Sequence, residues 1–262
     1  MVKNTSTYIT SQRARIQLSF LSLSLPIAVI LLLIFLMGQD RLLQGSVDSY
    51  HNARDPLPTL PTRDSLGGLL QKLNLTVGAE LGVQRGDFAK VTLDQWSHAK
   101  TYVLVDLWGH QENYKDVANV DDQVQENFKN EALNKLKAHE HKLVVCRNYT
   151  SVCVKQFENG YFDYIYVDAR HDYKGVREDI ELWWPKLKVG GIMAGHDYID
   201  TEEVAKISGQ DWSVSADGTR NPDGKAVKSA VDEWAAENKQ LLQITFRDAP
   251  WNTWVTRKTR GM

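Results

Sequence analysis

The chain has 262 residues, room for one large α/β domain plus an extension but not for two full enzyme domains. A formal net charge of −2, with both signs interspersed and no basic patch threaded with aromatics, argues against a nucleic-acid partner. Two cysteines, Cys146 and Cys153, are too few for a disulfide scaffold and lack zinc-ligand spacing; two half-buried free thiols are the preferred reading over a single bridge.

The N-terminus differs from the rest. Ile16 to Gln39 carries no charge and Leu18 to Met37 is dominated by Leu, Ile, Val and Phe. Such a run, at a rise of about 1.5 Å per residue, spans a hydrocarbon core of about 30 Å. Leu36-Met37-Gly38-Gln39-Asp40 offers no cleavage site, so residues 17–38 are expected to form an uncleaved transmembrane signal-anchor. Lys3, Arg13 and Arg15 precede it, whereas Asp40, Arg41 and Asp48 follow. That bias makes residues 1–16 a cytosolic tail and puts the large domain on the lumenal or extracytoplasmic side of the membrane. Residues 39–64, with Pro56, Pro58 and Pro61, read as an extended stalk.

From Ser65 helical and strand patterns alternate. A short helix over Ser65–Leu73 precedes a buried strand, Val77–Gly82. A helix over Asp87–Ala99 leads to the strand Tyr102–Asp106, and a polar, solvated helix over Val120–His139 to the strand Lys142–Cys146. Tyr164–Asp168 is a fourth strand and Gly191–Gly195 a fifth, with a helix over Tyr173–Trp184 between them. A helix over Ala226–Asn238 and an antiparallel pair, Leu242–Phe246 with Trp251–Arg257, close the chain. Strands apolar throughout and alternating with helices imply a mostly parallel sheet covered on both faces, with ligands beyond the C-terminal strand ends. The longest irregular stretch, 199–225, is either an acceptor-binding lid or an insertion.

Two features mark a nucleoside cofactor. Glu80-Leu81-Gly82-Val83-Gln84-Arg85-Gly86 joins the first strand to its helix, and Asp106 ends the second strand, where a carboxylate accepts from both ribose hydroxyls. A nicotinamide dinucleotide needs Gly-x-Gly-x-x-Gly, and an acidic residue at position 80 would repel its pyrophosphate. The same residue favours the ammonium of a methionyl group, which points to S-adenosylmethionine (SAM).

The pattern Glu80-x-Gly82-x-x-x-Gly86 followed by Asp106 resembles the first two motifs of class I SAM-dependent methyltransferases. Tyr161 through Tyr173, and Gly190 through Tyr198 with its Gly-His-Asp-Tyr, are similar to the subgroup labelled methyltransferase domain 24, related to macrolide-sugar O-methyltransferases. The resemblance covers roughly residues 65–257, within a catalytic domain taken as 65–262. It implies a Rossmann-like α/β fold, a seven-stranded sheet with an antiparallel last strand. It also implies SAM contacts from Glu80, Gly82, Gly86, Asp106 and Asp168, with the loop from Asn148 to Ser151 bordering the adenine. The related sugar enzymes hold Mg²⁺ on an Asp at the Asp168 position and an acidic pair at the His196-Asp197 position, and use a base at the His171 position. Here an imidazole replaces one carboxylate, so Asp168, His196 and Asp197 form either a divalent site closer to transition-metal preferences or one in which His196 only orients Asp197. His171 is the candidate base. Asp172 and Tyr173 are expected to cap and pack the following helix, and Trp108 to Gln111 with Tyr114 to wall the pocket.

The resulting expectation is a membrane-anchored methyltransferase acting on a small hydroxylated acceptor, a sugar or glycan favoured. A metal-independent enzyme for a small metabolite and a catalytically silent SAM-binding scaffold are the alternatives. Asn74-Leu75-Thr76 and Asn148-Tyr149-Thr150 are glycosylation sequons if the domain is lumenal, Asn148 being expected to fold inward.

Overall fold

The computed structural model describes residues 57–259; the expected tail, membrane anchor and first part of the stalk lie outside them. Seven strands form one sheet: β1 (Val77–Leu81), β2 (Thr101–Asp106), β3 (Leu143–Arg147), β4 (Phe162–Val167), β5 (Leu187–Gly195), β6 (Leu242–Ile244) and β7 (Trp254–Arg257), in the order β3-β2-β1-β4-β5-β7-β6. The pairs from β3 through β5 are parallel, and β7 runs antiparallel to both β5 and β6. The sheet expected from the alternating pattern is therefore present, its antiparallel last strand included.

The strands read as continuous apolar runs because both faces are covered. On one face α1 (Leu66–Lys72), α2 (Asp87–Gln95) and α3 (Asp122–Lys135) bury Leu66, Leu70, Phe88, Leu93 and Phe128 against Tyr102, Leu104 and Tyr164. A four-residue helix, α4 (Thr150–Cys153), follows β3. On the other face α5 (Tyr173–Trp183) and α7 (Val227–Glu237) bring Val176, Ile180, Trp183, Val231 and Trp234 onto Ala79, Val103 and Ile165. Each such side chain contributes about 1.5–3 kcal/mol by leaving water. Asp172 caps α5 by accepting from Gly175 N at 3.1 Å, as its place before the helix suggests.

Several boundaries differ from the sequence expectation for physical reasons. The polar helix begins at Asp122 because Asp121 accepts from Val124 N and supplies the cap, leaving 115–120 as a loop. The stretch 199–225 contains α6 (Thr201–Ser208), started by a capping box between Asp200 and Glu203, and it buries Val204 and Trp212. Residues 57–64 are also part of the folded domain, so the boundary expected at Ser65 falls inside it. Leu57 and Leu60 are buried, Gln243 donates to the Leu57 carbonyl at 2.6 Å, and Arg247 N donates to the Pro61 carbonyl at 2.9 Å. Among the described residues no helix is long and apolar enough to cross a membrane.

The reading of Cys146 and Cys153 as free thiols is corrected: they form a disulfide. The turn after the edge strand β3 folds α4 back and brings the two Cα atoms to 6.1 Å, within bridging distance. The bridge joins residues seven apart, a loop whose closure the chain-entropy account values at about 2–3 kcal/mol. Cys146→Ser is expected to lower the unfolding free energy by about 2 kcal/mol, and reductant to lower it equally in the wild type. Identical denaturation curves with and without reductant would contradict the bridge.

Candidate active site

The first strand ends on a glycine that its neighbours require. Gly82 has φ +84°, and a Cβ there would lie 1.8 Å from the Asp168 carbonyl oxygen. Only a residue without a side chain lets the β1 turn meet the end of β4. Gly86, at φ +74°, starts α2 with Ala132 of α3 at 3.0 Å from its virtual Cβ.

Asp106 does more than stand ready for a ribose. Its Oδ2 accepts from Val83 N at 2.7 Å and Gln84 N at 2.8 Å, and its Oδ1 from Trp108 N at 2.7 Å. The carboxylate thereby pins the glycine turn, and with about four lone-pair sites it retains capacity for a hydroxyl donor. Trp108, fully buried, braces the turn by donating from Nε1 to the Gln84 carbonyl. Glu80 points into the core, 2% exposed, and accepts from the Tyr102 hydroxyl at 2.7 Å. Burial pushes its pKa up to about 8, against the opposing effect of the Tyr102 hydrogen bond. Ser151 lies in α4, half-buried, at the C-terminal side of β3. Asn148 is exposed, contrary to the expectation that it folds inward, because its Oδ1 accepts from the adjacent Tyr149 N and the side chain stays at the surface. The loop therefore follows the sheet where an adenine edge is expected, with its asparagine facing solvent.

A second group occupies the ends of β4 and β5. His171 Nε2 lies 3.3 Å from Asp168 Oδ1 and 3.3 Å from Asp197 Oδ2. Its Nδ1 lies 3.0 Å from Asp116 Oδ2 and 3.0 Å from the Tyr114 hydroxyl. Tyr114 donates to the Ala169 carbonyl, so its oxygen is free to accept from Nδ1–H, which also points at Asp116, while Nε2 faces the two carboxylates and donates to them when the ring is charged. Trp212 from the 199–225 stretch donates Nε1 to the same Asp116 oxygen at 3.0 Å and packs its ring 4.5 Å from the imidazole.

The ligand atoms of Asp168, His171 and Asp197 lie within 4.8 Å of one another, a set of two carboxylates and an imidazole that suits a divalent cation. His196, expected in that set, instead places Nδ1 2.7 Å from Asp197 Oδ1 and 3.9 Å from Asp168 Oδ2, where it orients Asp197. Burial opposes a charged imidazole at His171, yet the hydrogen bonds to Asp116 and Asp168 outweigh it and hold its pKa well above the ordinary value. Burial likewise raises Asp168, but His196 and His171 overcome this and hold its carboxyl below the usual range.

Sequence reasoning missed Asp116 and Trp212. Asp116 sits in a polar run without periodicity, and Trp212 in a stretch rich in Gly, Ser and Asp. A lone buried-type aromatic there was the available signal.

Residues 79–198 match the model of a family described as a methyltransferase domain. No curated protein matches the chain. Among solved structures, the O-methyltransferase TomG from Streptomyces achromogenes in complex with SAM is 12% identical, with TM-score 0.51 over 82% of this chain and 90% of that one. Cofactor-bound Rv0187 from MTB is 11% identical, with TM-score 0.51 over 84% and 90% of the two chains. At these identities the likeness is one of fold.

The Glu80 environment has a pH signature. The folded chain keeps a proton there up to about pH 8, whereas an unfolded glutamate loses it near about pH 4.3. Folded-state stability should therefore fall as pH rises between those values, by up to about 1.4 kcal/mol per unit. Glu80→Gln, which still accepts from Tyr102, is expected to remove this slope and exceed the wild type in stability at pH 8 but not at pH 4. Parallel stability–pH curves for the two proteins would refute the assignment.

Proposed function

We propose that this chain, a SAM-dependent methyltransferase whose residues 79–198 match the methyltransferase-domain family, O-methylates a small hydroxylated acceptor, a sugar or glycan favoured, at the ends of β4 and β5. The observation that carries the proposal is the imidazole of His171, its Nε2 directed at Asp168 and Asp197 and its Nδ1 held by Asp116. The O-methyltransferase fold of TomG supports oxygen as the acceptor atom.

SAM supplies an electrophilic methyl group on a sulfonium. The Asp106 carboxylate and the Gly82–Gly86 turn would hold its nucleoside, with Ser151 beside the adenine, while Asp168, and Glu80 once an approaching cation draws off its proton, would favour the methionyl ammonium. In its deprotonated form His171 Nε2 would take the proton of the acceptor hydroxyl as the new C–O bond forms and the S–CH3 bond breaks to release S-adenosylhomocysteine, and Asp116 would stabilise the imidazolium; the raised pKa of the ring moves this base form to higher pH. Asp116, Tyr114 and Trp212 fix the ring so that the proton moves along a set direction, which is where placement contributes to rate. Trp212 also closes this corner against water. In a metal-assisted version of the reaction Asp168, Asp197 and His171 Nε2 would instead hold a divalent cation, with His196 behind Asp197, and that cation rather than the imidazole would lower the pKa of a bound hydroxyl. The domain is further proposed to be membrane-anchored and to work in an oxidising, extracytoplasmic compartment. The Cys146–Cys153 bridge and the exposed sequon at Asn74 support that location.

Asp106→Ala is expected to weaken binding of S-adenosylhomocysteine by at least about tenfold, or 1.4 kcal/mol, by calorimetry; unchanged affinity would remove the ribose assignment. His171→Gln should bind the same ligand normally yet transfer labelled methyl to a hydroxylated acceptor at a rate lower by about 10²-fold or more. EDTA should abolish transfer if the carboxylates hold a cation, and full activity in EDTA would leave a metal-independent enzyme. In a eukaryotic host the protein should carry a glycosidase-sensitive mass that disappears in Asn74→Gln; no glycan at all would favour a cytosol-facing domain.

A further inference from the structure

The residues just ahead of α1 carry a positive charge to the same end of the sheet. Arg63 lies on a single 3-10 turn, Arg63–Ser65, with its backbone N–H donating to Asp248 Oδ2 at 2.7 Å. Two residues earlier, the Pro61 carbonyl accepts from Arg247 N. The main chain is therefore strapped to the connection between β6 and β7, and the side chain projects from a fixed point. Its guanidinium stands 5.2 Å from the centre of the Phe88 ring, close enough for a cation–π contact, and hydrogen-bonds the Tyr166 hydroxyl. Nη1 comes within 3.6 Å of Asp168 Oδ2, longer than a hydrogen bond. A guanidinium has about five donors, so the fork keeps capacity for a further oxyanion, and at 31% side-chain exposure it is reachable.

The surroundings narrow what that oxyanion is. Arg63 acts electrostatically on Glu80 as well as on Asp168. Between those two stands Gly82, in contact with the Asp168 carbonyl. The Tyr164 hydroxyl is fully buried and without a hydrogen-bond partner among the described residues. The methionyl end of SAM is a zwitterion. Asp168 is complementary to its ammonium but repels its carboxylate, so a carboxylate lodged beside it needs a cation. An arginine offers a planar two-point grip on a carboxylate that a lysine does not reproduce.

We propose that Arg63 binds the α-carboxylate of SAM and so makes the site selective for cofactors that retain the whole amino-acid moiety. The proposal rests on the methyltransferase reading above. It assigns a specificity-determining role to a residue outside the matched domain, contributed by the segment that leads into it.

The test is a matched pair of ligands differing only in that carboxylate, SAM and decarboxylated SAM, titrated calorimetrically into wild type, Arg63→Ala and Arg63→Lys. Wild type should prefer SAM by at least tenfold, about 1.4 kcal/mol. Arg63→Ala should lose that preference by weakening SAM alone, and Arg63→Lys should recover part of it. Retained binding of decarboxylated SAM shows that each variant is folded. Equal weakening of both ligands in Arg63→Ala, or an unchanged preference for SAM, would overturn the proposal. A wild type that binds neither ligand would overturn the methyltransferase reading and this proposal with it, whereas a wild type that binds both with equal affinity overturns only the role of Arg63.

Discussion

The carbonyl oxygen of Asp168 lies where a side chain on residue 82 would be, 1.8 Å from the Cβ position, and the arrangement of the site depends on that contact. It is possible only because position 82 is glycine in the left-handed region. The consequence is that the turn after β1 and the end of β4 share one point in space. Whatever the glycine turn binds is therefore adjacent to the carboxylates that follow β4 and β5. Asp106 fixes the other side of the turn with its three backbone acceptor contacts. A side chain at 82 would push the two halves apart and separate the glycine turn from those carboxylates.

Bringing strand ends together concentrates negative charge. Asp116, Asp168 and Asp197 all converge on His171, and carboxylates this close repel strongly away from bulk water. The fold offsets this with basic side chains delivered from three directions. His171 follows β4 on the same loop as Asp168, His196 follows β5, and Arg63 arrives from the segment ahead of α1. Trp212 and Tyr114 then remove the remaining freedom of Asp116 and the imidazole by hydrogen bonding. The result is a pre-oriented group of alternating charge rather than a loose acidic patch, which is what charge development during methyl transfer requires.

The strands were legible in the sequence because a sheet covered on both faces needs uninterrupted apolar runs, and few other structures do. The motif residues on strand ends, Glu80, Gly82, Asp106, Asp168, His171 and Asp197, were legible because such sheets bind at those ends. What escaped was whatever lay outside the periodic segments. Asp116 reaches His171 across 55 residues of chain, from a polar run without periodicity just ahead of the helix Asp122–Lys135. Trp212 comes from a stretch read as lid or insertion. The cysteines were ambiguous because spacing alone does not reveal that α4 folds back on β3. Of the two roles open to His196, ligand or orienting group, the structure has it beside Asp197, while His171, expected as the base, also faces both carboxylates.

Arg63 was hidden for a more instructive reason. Three prolines in Asp55–Pro61 exclude a helix, and the natural inference from that composition is a spacer. Yet proline-rich extended chain is also well suited to lying flat along a sheet edge, since it needs no hydrogen bonds of its own and its carbonyls remain available. Leu57 and Pro61 use their carbonyls in that way, accepting from Gln243 and Arg247, while Leu57 and Leu60 bury their side chains. Extended conformation thus served as a strap rather than a spacer. The chain does not reach the catalytic domain and then begin to fold; its approach already forms one wall of the cofactor end. The segment that enters the fold and the carboxylate at the end of β4 are thereby neighbours, with Arg63 Nη1 3.6 Å from Asp168 Oδ2.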